Sequence, residues 1–207
     1  MSLRPRLIAL AMLALAAACS GEATGPAQAQ PPGPDSGRRE SAVFAGGCFW
    51  STEANFEHMP GVVAAVSGYA GGRTPNPTYE QVVAGGTGHL EAVRVTYDPA
   101  RISYRQLVDR FWRTIDPTDA RGQFCDRGAN YGTAVFATEA QRPIAEASRA
   151  AAAAIIGAGR FVTPVRAEAR FWPAEAYHQD FARRNPARYG GYSTFCRRGA
   201  RLRQVWG

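Results

Sequence analysis

Gly46-Gly47-Cys48-Phe49-Trp50-Ser51-Thr52-Glu53 is the stretch from which the rest of the chain is read. The apolar run before it, residues 41–45, breaks at the glycine pair. Residues 49–59 then have helical character until Pro60-Gly61 stops them. Strand, glycine turn and helix place Cys48 at a helix N-terminus, where unpaired N–H groups and the helix dipole favour a thiolate. A thiol with an ordinary pKa of about 8.5 is expected to be lowered there. A cysteine buried only for packing needs no such hinge, so the turn predicts a reactive sulfur.

Outward from this turn, strands and helices alternate. Val62, Ala64 and Val66 have strand spacing, residues 90–97 form a second strand ended by Asp98-Pro99, and residues 133–137 and 165–170 read as further strands. Ser103-x-x-Gln106 is a capping box opening a helix whose apolar face is Leu107, Val108, Phe111, Trp112 and Ile115. Thr138-x-x-Gln141 opens an alanine-rich helix that runs to about Gly157, and residues 174–184 read as another helix. Residues 68–88 and 116–131 read as long glycine-containing loops, and loops of that length inside a domain are usually functional. Residues 185–207 read as a long irregular tail. The pattern predicts an α+β fold, a two-layer sandwich with a mixed β-sheet.

Composition bounds the function. The chain has 207 residues, 45% of them hydrophobic, enough for one well-packed domain. Its net charge of +7 comes from arginines that are scattered and form no stripe interleaved with aromatics, which argues against nucleic-acid binding. Arg4 and Arg6 precede an apolar stretch too short to span a bilayer, ending in Ala16-Ala17-Ala18-Cys19. Residues 1–18 therefore read as a signal peptide of lipoprotein type with Cys19 as the lipidated residue. An ordinary secretory signal is the alternative. Either reading sends the protein to the periplasm or cell envelope, and the first anchors it to the membrane. Residues 19–40, rich in Gly, Pro, Ala and Gln, read as a flexible linker, and residues 41–207 as the folded domain.

With Cys19 set aside, Cys48, Cys125 and Cys196 remain. Three widely spaced cysteines without a C-x-x-C pair make a poor disulfide framework and a poor zinc site. They suit a nucleophile with helper thiols. His58, His89 and His178 lack metal-ligand spacing and read as structural.

Five stretches in order, GCFWSTE, GGRTPNPTY, GTGHLEAVRVTYDP, DPTDARGQFCDRGANY and AEAYHQDF, resemble peptide methionine sulfoxide reductase A from residue 41 to the C-terminus. The resemblance implies a ferredoxin-like core and reduction of the S epimer of methionine sulfoxide, free or in proteins, by a monomer. It implies Cys48 as nucleophile, Glu91 as the acid for the sulfoxide oxygen, and Tyr79 and Tyr131 as hydrogen-bond donors to that oxygen. Phe49 and Trp50 would line the pocket for the substrate methyl group, and Asp126 would hold the polar network. The chemistry agrees: a sulfoxide oxygen leaves only when protonated, and a carboxylic acid in an apolar pocket stays protonated near neutrality. A sulfenic acid on Cys48 would be resolved by a second thiol. Cys196 is the expected resolving thiol and Cys125 the alternative, with a thioredoxin-like dithiol as reductant and no metal or organic cofactor. Cys125 stands where many members carry Asn, and the tail holds one cysteine where some members hold two. The competing readings are a thiol peroxidase, a Cys-His hydrolase, or a non-enzymatic lipoprotein that binds hydrophobic ligands.

Overall fold

The structure, a computed structural model, describes residues 37–207. The signal segment, Cys19 and most of the 19–40 linker lie outside the described residues. In chain order the elements are β1 (Glu40–Gly46), α1 (Phe49–Glu57), β2 (Val62–Ala70), α2 (Tyr79–Ala84), β3 (Leu90–Tyr97), α3 (Tyr104–Trp112), β4 (Gly122–Gln123) and β5 (Asp126–Arg127). They continue with β6 (Thr133–Ala137), α4 (Arg142–Ile156), β7 (Val165–Ala167), β8 (Phe171–Pro173), α5 (Phe181–Arg184), α6 (Pro186–Phe195) and α7 (Arg198–Trp206). The fold is α+β. A six-stranded sheet runs in the order β7-β6-β1-β3-β2-β8, antiparallel except for the parallel β6–β7 edge, so it is mixed. β4 and β5 form a separate hairpin.

The pleat decides what reaches the core. In β3, Val93, Val95 and Tyr97 join the large core with Phe44 of β1, Phe56 of α1 and the apolar face of α3. Leu90 and Ala92 join a smaller cluster with Ala45, Ala70 and Phe136. Side chains two apart share a face of a strand, so Glu91 is in phase with Val93 and Val95 and is carried inward. The Ser103–Gln106 capping box forms as read, and Leu107, Val108, Phe111, Trp112 and Ile115 are all buried. The Trp112 indole N–H donates to Ser148 Oγ at 2.8 Å, tying α3 to α4.

Four expectations need correction. The 68–88 stretch is not all loop: β2 runs to Ala70, and Thr78 and Gln81 form a capping box that starts α2. Residues 165–170 hold only the three-residue β7, and 174–184 hold a 3-10 turn (Ala176–His178) before α5. Most importantly, the tail is helical. α6 contains Gly190-Gly191, which weakens its intrinsic helix propensity, and so it reads as irregular. Its order comes from tertiary contacts. α7 docks through Trp206, whose indole N–H donates to the Ile115 carbonyl at 3.0 Å, and through Arg201, 2.6 Å from Asp116.

Candidate active site

Cys48 is the N-cap of α1. Its carbonyl accepts from the Ser51 and Thr52 N–H groups at 3.2 and 3.3 Å. The hinge before it is Gly47, at φ +80, where a Cβ would stand 2.5 Å from Gln123 Cβ. Only glycine combines that left-handed backbone with that close approach. The turn therefore brings the 116–131 segment against the Cys48 loop.

The structure gathers the expected site residues around this turn. Glu91 is buried, and its Oε2 accepts the Phe49 N–H at 2.9 Å, so β3 satisfies an orphan donor at the start of α1. Burial pushes the Glu91 carboxyl up to about 8; the Phe49 hydrogen bond opposes this and the Asp126 charge adds to it. It is therefore a neutral acid at pH 7. Tyr79 opens α2, its N–H held by Glu175 Oε1 at 2.8 Å, and an interaction with Tyr131 opposes the rise of its phenol. Both phenols are pushed up, by burial first and then by the nearby Glu91 charge, and remain protonated donors. Phe49 is buried against Tyr69, Tyr79 and His178, and Trp50 stacks on Phe181 with ring centroids 3.6 Å apart. These rings make an apolar wall beside the acid and the phenols.

The thiol departs from expectation. Burial, with Cys48 only 6% exposed, pushes it up to about 12, and Glu91 adds to the rise. The helix N-terminus does not win here, because the Phe49 N–H goes to Glu91. Cys48 rests as a thiol. The cysteine pairing is also different: Cys196 is joined to Cys125 by a disulfide with Cα atoms 4.8 Å apart, and Cys48 is the free cysteine among the described residues. Cys125, Asp126 and Cys196 cluster as metal ligands would, but the two sulfurs are bonded to each other, so that group is suited to thiol–disulfide exchange. A cavity of about 710 Å³ reaches Cys196 and is lined also by Arg121, Arg127, Arg197 and Arg201.

Four contributors to the site are not marked as such in the sequence, where His178 reads only as structural. His178 accepts the Trp50 indole N–H at Nδ1, 3.1 Å, and packs on Phe49 and Tyr79. Glu175 holds both the Tyr79 N–H and the Tyr69 hydroxyl. Glu53 is buried behind the site and accepts the Ser67 N–H at 3.3 Å. Tyr192, from the supposed irregular tail, donates to Asp126 Oδ2 at 2.5 Å and meets Trp50 edge-on at 6.3 Å. The first three lie within the stretches GCFWSTE and AEAYHQDF, the one signal that could have found them. Nothing local marks Tyr192. His89 is structural as read: its Nδ1 accepts the Gly72 N–H at 3.1 Å and its Nε2 lies 2.8 Å from the Thr74 carbonyl.

A family model described as peptide methionine sulfoxide reductase matches residues 40–207. The chain is 52% identical over 202 residues to peptide methionine sulfoxide reductase MsrA 2 of Caulobacter vibrioides, covering 98% of each chain. It is similar in structure to methionine sulfoxide reductase A of Corynebacterium diphtheriae, with TM-score 0.63 and 33% identity over 72% of this chain and 76% of that one. It is similar also to Mxr1 of Saccharomyces cerevisiae in reduced form, with TM-score 0.67 and 29% identity over 75% and 91%.

Proposed function

The chain belongs to the peptide methionine sulfoxide reductase family, and from that premise we propose that it reduces the S epimer of methionine sulfoxide, free and in proteins, through a sulfenic acid on Cys48. The observation that carries this reading is the pairing of Cys48 with a buried acid: Glu91 caps the helix that Cys48 begins, and stays protonated below about pH 8. The substrate methyl group packs against Phe49 and Trp50, and its oxygen accepts from Tyr79, Tyr131 and Glu91. Glu91 gives its proton to that oxygen while the Cys48 S–H bond breaks and its sulfur bonds to the substrate sulfur, and the released thiol proton restores Glu91. The oxygen then passes to Cys48, methionine leaves, and the thiol has lost the two electrons the sulfoxide gained.

The Cys125–Cys196 pair supports a two-step recovery. One of these thiols condenses with the sulfenic acid, releasing water, and the other displaces Cys48 to leave the Cys125–Cys196 disulfide. The arginine-lined cavity beside Cys196 suits entry of a thioredoxin-like dithiol, which reduces that disulfide. We place the β6-β1-β3-β2 strands with α1 and α3 as a ferredoxin-like core. We also hold to a monomeric catalytic domain over 41–207, tethered in the cell envelope by lipidated Cys19. Incubation with resolved sulfoxide epimers and dithiothreitol, followed by assay of methionine, tests the reaction: product from the S epimer alone is expected, and product from the R epimer alone would sink it. For the anchor, Cys19→Ala is expected to release the protein from membranes, and unchanged fractionation would overturn lipidation.

A further inference from the structure

We propose that Tyr192 is a further catalytic residue of this site, passing the Cys48 proton to Asp126 as the thiol becomes the attacking thiolate. The inference rests on the reductase reading above. The Tyr192 hydroxyl donates to Asp126 Oδ2 at 2.5 Å, its ring meets Trp50 edge-on beside the Cys48 turn, and its interaction with the Cys48 side chain opposes the rise of that thiol. The phenol is thus held on the carboxylate with the Cys48 thiol as its neighbour. Tyr192 lies one helical turn before Cys196, and Cys196 is bonded to Cys125, the neighbour of Asp126.

The chemistry needs such a relay. A thiol this deeply buried, beside Glu91 and Asp126, holds its proton, yet attack requires the sulfur electron pair. Glu91 cannot take that proton, because its own must go to the sulfoxide oxygen. Tyr79 and Tyr131, the other phenols near the sulfur, are donors to that same oxygen. His178, the other base against the pocket rings, uses Nδ1 to accept from Trp50. Asp126 is left to accept. Burial raises its carboxyl, while the Tyr192 hydrogen bond and the charges of Arg198 and Arg127 favour its ionised form. In the step, the Cys48 S–H bond breaks and its proton moves to the Tyr192 oxygen. The phenolic proton moves to Asp126 Oδ2, the sulfur pair bonds to the substrate sulfur, and Glu91 protonates the oxygen. The site gains and loses no net charge, and return of one proton from Asp126 to Glu91 through water resets it.

The test uses the full chain with the Cys125–Cys196 disulfide intact, so that α6 stays anchored while the hydroxyl is removed in Tyr192→Phe. Alkylation of Cys48 by iodoacetamide, located by mass mapping, is followed against pH. The variant is expected to shift its midpoint upward, which a purely structural role would not do. Methionine formed in a single turnover is expected to slow at least ~10-fold, at the lower end of general acid–base effects. Combining it with Asp126→Asn should cost no more than the worse single change, because both break one chain. An unchanged alkylation profile, a single-turnover rate within twofold of wild type, or multiplying losses would overturn the relay and leave the reductase reading standing. Absence of methionine formation by the wild-type protein would overturn that reading instead.

Discussion

The Cys48 turn and the C-terminal segment both supply the site, but they are ordered by opposite means. The turn is written locally: a glycine pair whose second member, Gly47, takes a left-handed backbone, then a helix start, then a carboxyl in phase with core valines. The C-terminal segment carries two adjacent glycines inside a helix and few buried residues, and it is held by a disulfide, an indole and an arginine–aspartate pair. The chemical step is thus built on rigid strand and helix ends. Cys196, bonded to Cys125, sits on an element whose position depends on long-range bonds.

Changes made in each region should separate these roles. The largest effect is expected from Cys48→Ser, which should abolish methionine formation even in dithiothreitol, since a hydroxyl neither ionises nor attacks sulfur as a thiol does; measurable turnover would remove Cys48 as nucleophile. Cys196→Ser should lose turnover with a thioredoxin-like dithiol while releasing about one methionine per enzyme. A trapped Cys48–Cys125 peptide in mass mapping is expected, and full dithiol-driven activity would break the two-step recovery.

Glu91→Gln comes next, slowing the chemical step by ~10² to 10⁴-fold. Wild-type activity should fall as pH rises through about 8, where Glu91 ionises, and the variant should lack that limb. The stability sign follows from the same shift. A carboxyl raised from 4.5 to about 8 stabilises the fold fully below its unfolded pKa, and that contribution is lost as pH rises through about 8. Glu91→Gln should therefore gain stability relative to wild type between about pH 4 and about pH 9, read from denaturant melts at each pH. An equal difference at both would contradict a buried neutral acid.

The smallest effects contrast two glycines. Gly47→Ala forces an L-residue to φ +80 against Gln123 and should destabilise by at least ~1–2 kcal/mol. Gly191 lies in α6 with no atom within 4 Å of the point where a Cβ would stand, so Gly191→Ala should stabilise by ~0.5–1 kcal/mol. Denaturant midpoints decide both, and a destabilised Gly191→Ala would mean that α6 needs its flexibility.

By itself the sequence determined what nearest neighbours determine. Alternation and capping marked β3, β6, α3 and the start of α4, and the glycine hinge marked Cys48. Glu91 was legible only through the resemblance, since a lone glutamate on a strand reads as solvent-facing; the structure carries it inward in phase with Val93 and Val95. Tertiary structure alone decided the protonation of Cys48, because burial outweighs a helix N-terminus whose first N–H is already taken. It alone decided that Cys196 meets Cys125 and that Tyr192 reaches Asp126, since those contacts span 71 and 66 residues and no local pattern encodes them. The helical order of residues 186–206 belongs with them: a glycine-weakened segment gains its conformation only from the surface it docks on.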